Sequence, residues 1–227
     1  MIFTDFFDLC EFFDLNHTIA ADFLRNARSF GDILPKIGEF IEAAAQNLKE
    51  DYTEIKRGVF AAKDANIAPL AHIEAPAIIG VGAEIRHGAF IRGNAVIGNG
   101  AVIGNSTEIK NAIIFDDVQL PHYNYVGDSI LGYHAHLGAG VIISNLRLDK
   151  GTVKIHKNGE KFNTGLRKVG ALVGDFAEIG CNSVLCPGTV IGKNARIFPL
   201  SLVSGTVKEG AIIKCGNFYA NTQEKGE

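Results

Sequence analysis

Three imidazoles lie within fifteen residues of one another: His122, His134 and His136, with His87 further upstream. His122 stands in the stretch DDVQLPHYNYVGDS (116–129), behind a proline that fixes the backbone. A neutral imidazole near pH 7 is the usual general base. Three converging imidazoles are also a zinc set. The competing reading of His122 is a hydrogen-bonded histidine in a turn. Of the seven histidines, His17 and His72 have no suggestive neighbours, and His156 belongs to a surface hairpin. A run of cations follows: Lys150, Lys154, Lys157, Lys161, Arg167 and Lys168. Such a run is either a solvated face or a receptor for phosphate. The four cysteines, Cys10, Cys181, Cys186 and Cys215, lack paired metal spacing. Cys181 and Cys186 are expected to fill core space, in a reduced cytoplasmic setting.

The elements that must position these groups repeat every six residues. The frame runs Ile67, Ile73, Ile79, Ile85, Ile91, Ile97, Ile103, Ile109 and then Phe115, with a small or aliphatic residue two before each, as in Ala77, Ala83, Ala89, Ala95 and Ala101. A second frame gives Leu131, Leu137 and Ile143, and a third gives Val173, Ile179, Leu185, Ile191, Ile197 and Val203. Residues two apart in an extended segment share a face, so the aliphatic and the small residue both point inward. A six-residue unit cannot bury that face alone and must stack. Three sides close a triangular coil, and coils stack at about 4.8 Å. Gly80, Gly98, Asn99, Gly104, Asn105, Gly192 and Asn194 follow the aliphatic positions and suit the positive φ of a corner. The expected fold is an all-β left-handed parallel β-helix, the hexapeptide-repeat solenoid. An ordinary β-sandwich is the weaker alternative.

Residues 1–62 carry no hexad. Ile33, Leu34, Ile37, Phe40, Ile41, Ala44 and Leu48 fall at helical spacing, with Asp32 as N-cap and Pro35 in the first turn. A second helix is expected over 19–28. The apolar start, FTDFFDLCEFF, needs burial against the solenoid or a neighbouring subunit. This segment reads as an α-helical cap on the first coil, because open solenoid ends need covering. The β-helix domain is expected over 63–215, with a short tail over 216–227. The frame fails at 116–129 and again at 144–170. In the second break TVKIHKNGEKF alternates about Asn158-Gly159, a hairpin signal, so a protruding β-hairpin arm is expected at about 146–168. A net charge of −3 calls for no nucleic-acid or membrane partner, and no apolar run is long enough for a bilayer.

The stretch HYNYVGDSILGYHAHLGAGVIISN (122–145) resembles the acetyltransferase half of the bifunctional glucosamine-1-phosphate acetyltransferase / N-acetylglucosamine-1-phosphate uridyltransferase. There the pattern is H-x-x-Y-[LV]-G-D-x-x-[IL]-G, then G-A-G and an asparagine. SNLRLD, the hairpin and GLRKVGALVGD look closer still to sugar-1-phosphate nucleotidyltransferases with an amino-sugar-1-phosphate acetyltransferase tail. The resemblance covers about 67–205. It implies an acetyl-CoA-dependent N-acetyltransferase acting on an amino-sugar 1-phosphate, of the glucosamine or galactosamine type. It implies His122 as general base, and Arg92 and Lys110 as holders of the sugar phosphate. Tyr125 and Asn145 match substrate-binding positions, and Lys150 or Lys168 the remaining phosphate lysine. Ala139, Gly180, Cys181 and Pro199 fall where the family meets acetyl-CoA. His136 replaces an asparagine that helps place the substrate, and Leu146 replaces a tyrosine, which leaves the identity of the amino sugar open. Nothing in 1–66 resembles the Gly-rich nucleotide loop of the other half.

On that resemblance His122 takes the ammonium proton, the cations hold phosphate, and a backbone N–H near Gly138–Gly140 serves the oxyanion. No metal is required. Association as a homotrimer is expected, with the site between subunits. Two rival readings use the same fold. One is a non-catalytic assembly or sugar-nucleotide-binding subunit. The other is a γ-class carbonic anhydrase, with zinc held among His87, His122, His134 and His136.

Overall fold

The computed structural model describes residues 8–27, 30–157 and 159–214, with the backbone of Asn217–Tyr219. The whole FTDFF start, Arg28, Ser29, Asn158 and Cys215, and all but those three residues of the tail, lie outside the described residues. The hexads wind a three-faced parallel solenoid of the left-handed hexapeptide kind. The first face stacks Val59–Ala62, Ala77–Ile79, Ala95–Ile97, the second halves of Glu108–Ile114 and Tyr125–Leu131, then Ala171–Val173, Thr189–Ile191 and Thr206–Val207. The second face runs from Asn66–Ile67 through Val102–Asn105, Gln119–His122 and His136–Leu137 to Ile212–Lys214. The third runs from His72–Glu74 through Phe90–Arg92, the first halves of the two long strands and Ile142–Ile143 to Leu202–Val203.

The register explains both breaks. Ile79 stacks on Ile97, a coil of 18 residues. Ile97 stacks on Ile114, not Phe115, and Ile114 on Leu131, so these coils hold 17. The frame therefore slips by one residue at each of two corners, Asn111 and Asp128, and the coil continues through 116–129. Leu131 stacks on Val173, 42 residues on, so 24 more than a coil are looped out. The glycines after the aliphatic residues serve close approach, not positive φ: a Cβ on Gly98 would strike Phe115 backbone and one on Gly104 would strike Pro121 O. Of the residues expected at positive φ, Asn194 (58°) has it; the others with positive φ lie elsewhere, at Gly100, Asp117 and His134 among others.

The N-terminal helices cover a flank and not the coil end. They are α1 (Ala21–Arg25), α2 (Phe30–Ile33) and α3 (Ile37–Ala45). Asp32 lies inside α2 instead of capping a longer helix, and a 3-10 turn at Leu34–Lys36 with Pro35 in its start interrupts the run. Proline supplies no N–H and disfavours the α conformation before it. From α3, Ile37 and Ile41 are buried, and the helix packs on Ala77–Ile79, Ala95–Ile97 and Glu108–Ile114. The reason lies on the first face. Its outward row, Ile78, Val96, Ile113, Ile130, Leu172 and Val190, is apolar and fully buried. One polar and one aromatic contact fix this cover: Asp175 accepts the Asp14 N–H at 2.6 Å, and Phe13 packs on Phe115 at 5.3 Å between centroids.

The hairpin is likewise no projecting arm. Lys154–Lys157 pairs antiparallel with Glu160–Asn163, as the alternation predicts. Alternation also puts Val153 and Ile155 on one side, and both are buried where the hairpin lies on Thr189–Ile191 and Thr206–Val207. The Thr206 hydroxyl donates to His156 O, and Lys157 pairs with Glu11 at 2.6 Å. Helices and hairpin together thus sheathe one face of the solenoid and leave the third face bare.

Candidate functional site

His122 ends the strand Gln119–His122, on the edge between second and third faces. The rungs of that edge are joined by backbone bonds: Tyr123 N to Asn105 O (2.9 Å), Gly140 N to His122 O (3.0 Å), Asn182 N to Ala139 O (2.9 Å) and Leu200 N to Cys181 O (3.0 Å). His122, Ala139, Cys181 and, by the same register, Pro199 therefore form one row. Gly180 belongs to it, because a Cβ there would strike the Pro199 backbone. Buried Asn124 braces the corner, donating from Nδ2 to Gly138 O at 2.8 Å and accepting the His122 N–H at 3.3 Å. The His122 ring itself is exposed.

A second group lies across the third face. Arg92 donates to Glu108 at 2.6 Å, which holds the guanidinium above its ordinary pKa. Lys110 stacks over Gly127, with its ammonium 4.0 Å from Asp128. Asn145 donates from Nδ2 to the Tyr125 hydroxyl (3.2 Å) and to Asp128 (2.5 Å). Burial raises the Tyr125 phenol pKa, opposed by that bond from Asn145. A Cβ at Gly127 would lie 2.7 Å from both the Asn145 amide and the Tyr125 hydroxyl, so glycine keeps this contact open. Lys168 enters beside Asn145 through a bridge between Leu146 and Lys168. The three residues Tyr125–Gly127 separate this group from the His122 edge, a width of about 10 Å.

Two of the residues named from sequence stand apart. His136 faces outward on the second face, 2.7 Å from Glu178. Lys150 is exposed at the base of the insertion, its carbonyl accepting from Arg167 Nε. The histidines do not converge within one chain: His134 is 3.8 Å from Asp117 on another edge, and no group of three or more metal-ligating side chains occurs among the described residues. Asp128, Glu108, Asn111 and Asn124 were missed by sequence reasoning. The Gly-Asp pair of the family-like stretch was the available signal for Asp128. The site is an open surface of the chain. A half-open pocket of about 390 Å³ lies elsewhere, between the N-terminal segment and the first face, lined by Leu48, Tyr52, Ile78, Asn99 and Asp116 among others.

Fold and residues define a hexapeptide-repeat β-solenoid. Residues 73–159 match the family described as the GMPPB C-terminal domain. The chain is 38% identical over 107 residues to a bifunctional sugar-1-phosphate nucleotidylyltransferase/acetyltransferase of Sulfurisphaera tokodaii, covering 47% of this chain and 27% of that protein. It is 35% identical over 106 residues to the bifunctional protein GlmU of Methanococcus maripaludis, covering 47% and 26%. The chain thus spans about a quarter of the length of these curated relatives. A solved hexapeptide transferase family protein from Anaplasma phagocytophilum aligns over 74% of this chain and 82% of its own, at 19% identity and a TM-score of 0.41. The resemblance seen in residues 122–145 is borne out by the two bifunctional relatives.

Proposed function

We propose that this chain transfers an acetyl group from acetyl-CoA to the amine of an amino-sugar phosphate, as a homotrimer with its site between subunits. The observation that carries the reading is the pairing of two groups on one bare face. An exposed imidazole with a row of small residues borders it, and two cations, a tyrosine and an asparagine occupy its far side. The likeness to relatives named as acetyltransferases supports it.

The ammonium releases one proton to solvent, and His122 takes a second from the nitrogen as the amine attacks the thioester carbonyl. The C–N bond forms, the C–S bond breaks, and the imidazolium returns the proton to the departing thiolate. Gly138 and Gly140 already donate to Ile179 O (2.7 Å) and His122 O (3.0 Å). That leaves the Ala139 N–H, which has no acceptor among the described residues, for the developing oxyanion. Ala139, Gly180, Cys181 and Pro199 are small enough to let a pantetheine chain follow their edge, and exposed Phe198 and Leu200 offer it apolar surface. Arg92 and Lys110 each keep donors beyond their carboxylate partners for a phosphate, joined by Lys168.

The test is CoA release from acetyl-CoA with glucosamine-1-phosphate or galactosamine-1-phosphate, in wild type and His122→Ala. Turnover falling by about 10²–10⁴ in the variant is expected. Undiminished turnover overturns the role of His122. If Glu108 and Asp128 spend the charges of Arg92 and Lys110, the pairing favours one alternative, a non-catalytic assembly subunit. Failure of both sugars to react, with no acetyl-CoA binding, decides for it.

A further inference from the structure

One edge of the solenoid, between third and first faces, is turned by residues with positive φ: Asn94 (47°), Asn111 (49°) and Asp128 (51°). Asparagine meets that backbone requirement without charge. Two rungs use it. The third carries a carboxylate that the corner does not need, and its side chain is only 8% exposed.

That carboxylate gathers donors. Asn111 Nδ2 lies 2.8 Å from Oδ1, Asn145 Nδ2 lies 2.5 Å from Oδ2, and the Lys110 ammonium is 4.0 Å away. An ionised carboxylate accepts only, so both amides must turn their NH2 groups toward it. Asn145 has a second acceptor for that NH2 in the Tyr125 hydroxyl at 3.2 Å. Both of its protons are thereby spent. Its carbonyl oxygen faces the other way, and no donor among the described residues reaches it. The end of the insertion is tied to the same pair: Gly170 N donates to Asp128 O (2.8 Å) and Val169 N to Asn145 O (3.0 Å). Backbone and side chain of Asn145 are thus both fixed.

We infer that Asp128 is the positioning residue of this site: it holds the Asn145 amide donor-inward and so presents its carbonyl oxygen to a hydrogen-bond donor on the bound molecule. With the proposed acetyltransferase reading, on which this last identity rests, that donor is the ammonium or a hydroxyl of the amino sugar. The amide orientation itself does not depend on that reading.

Asp128→Asn tests it. Asparagine already turns two rungs of this edge, so the fold should survive. The new amide has one acceptor where the carboxylate had two, so it cannot satisfy both Asn111 and Asn145. In protein labelled with ¹⁵N-asparagine, the Asn145 side-chain protons, assigned by their loss in Asn145→Ala, should exchange at least about tenfold faster in Asp128→Asn. Asp128→Gly, which also suits positive φ, should do the same if Asp128→Asn fails to fold. In turnover, KM for the amino-sugar phosphate should rise about tenfold while KM for acetyl-CoA stays unchanged. In an Asn145→Ala background the same substitution should add less than about twofold. Unchanged exchange overturns the inference, and so does full additivity of the two substitutions. A wild type without turnover sinks the acetyltransferase reading alone, because the exchange measurement still decides the role of Asp128.

Discussion

The first and third faces of the solenoid share one inward pattern and differ in what they show outside. On the first face the triplets read AII, AVI, AII, SIL, ALV and TVI, and all three positions of each are buried. On the third face the strands His72–Glu74 and Phe90–Arg92 bury only their central residue. Continuous apolar runs belong to strands covered on both sides, and alternation belongs to strands with one wet side. The cover on the first face comes from the chain's own helices and hairpin. The third face keeps its charges, its tyrosine and an exposed apolar strip at Ile142 and Leu202. One face is built for stability and the other is left for contact with something else.

The sharpest way to break that contrast is one charge placed on each face. Val96→Asp puts a carboxylate beneath α3, where Val96 is fully buried, and should cost more than about 3 kcal/mol or prevent folding. Leu202→Asp, at a side 67% exposed, should change monomer stability by less than about 0.5 kcal/mol. Urea unfolding with sedimentation measures both. Equal tolerance at the two sites would refute the sheathed first face. A Leu202→Asp protein that folds but sediments as a smaller species would mean that copies of this chain cover the third face.

The inward repeat was legible because one aliphatic residue per six has only one place to go. The outward sheath was less so. The AVI triplets carried the signal, but a six-residue frame counts only every other position: it passes over Ile78 and Val96, and it reads Ile113 as inward. The helical segment was recognised, yet end and flank are indistinguishable until the outward row is counted. Phe115 held the frame by its size, and the register chose Ile114 because a corner residue is missing. In the site, His122 was a candidate from its own stretch, and Tyr125 and Asn145 came from resemblance. Asp128 and Asn124 act through hydrogen bonds to residues 14 to 17 positions away, and no local pattern displays those.

A smaller effect tests the joint between sheath and solenoid. Asp175 is buried and accepts the N–H groups of Asp14 (2.6 Å) and Tyr133 (2.8 Å), with Lys193 at 3.5 Å. Asp175→Asn keeps one acceptor and turns a donor toward the other N–H, so a loss of about 1–3 kcal/mol is expected in urea unfolding. Burial raises the carboxyl pKa above its ordinary 3.8, and the bonds from Asp14, Tyr133 and Lys193 oppose that only in part. The folded state then binds more protons than the unfolded one just above pH 3.8. Stability from this group therefore falls as pH rises from 3.8 through the raised value. The wild-type minus Asp175→Asn difference should decline over that window. A difference rising with pH there would mean that the hydrogen bonds outweigh burial.

The smallest expected effect lies where the two parts of the sheath meet. Lys157 of the hairpin pairs with Glu11 at 2.6 Å, and its ammonium stands 5.7 Å from the Phe12 ring centre. The lysine side chain is 17% exposed and the glutamate 51%, so solvent screens much of the attraction. Glu11→Gln should cost about 0.2–1 kcal/mol, and less at high salt. Lys157→Met keeps most of the packed stem and removes the charge, so a comparable loss is expected. Hydrogen exchange in Lys154–Lys157 reads the consequence locally. If the hairpin is held mainly by Val153 and Ile155, its protection survives both substitutions. If protection collapses with either one, the ion pair and not the apolar face is what fastens the hairpin, and the first face depends on its edge contacts as much as on its buried row.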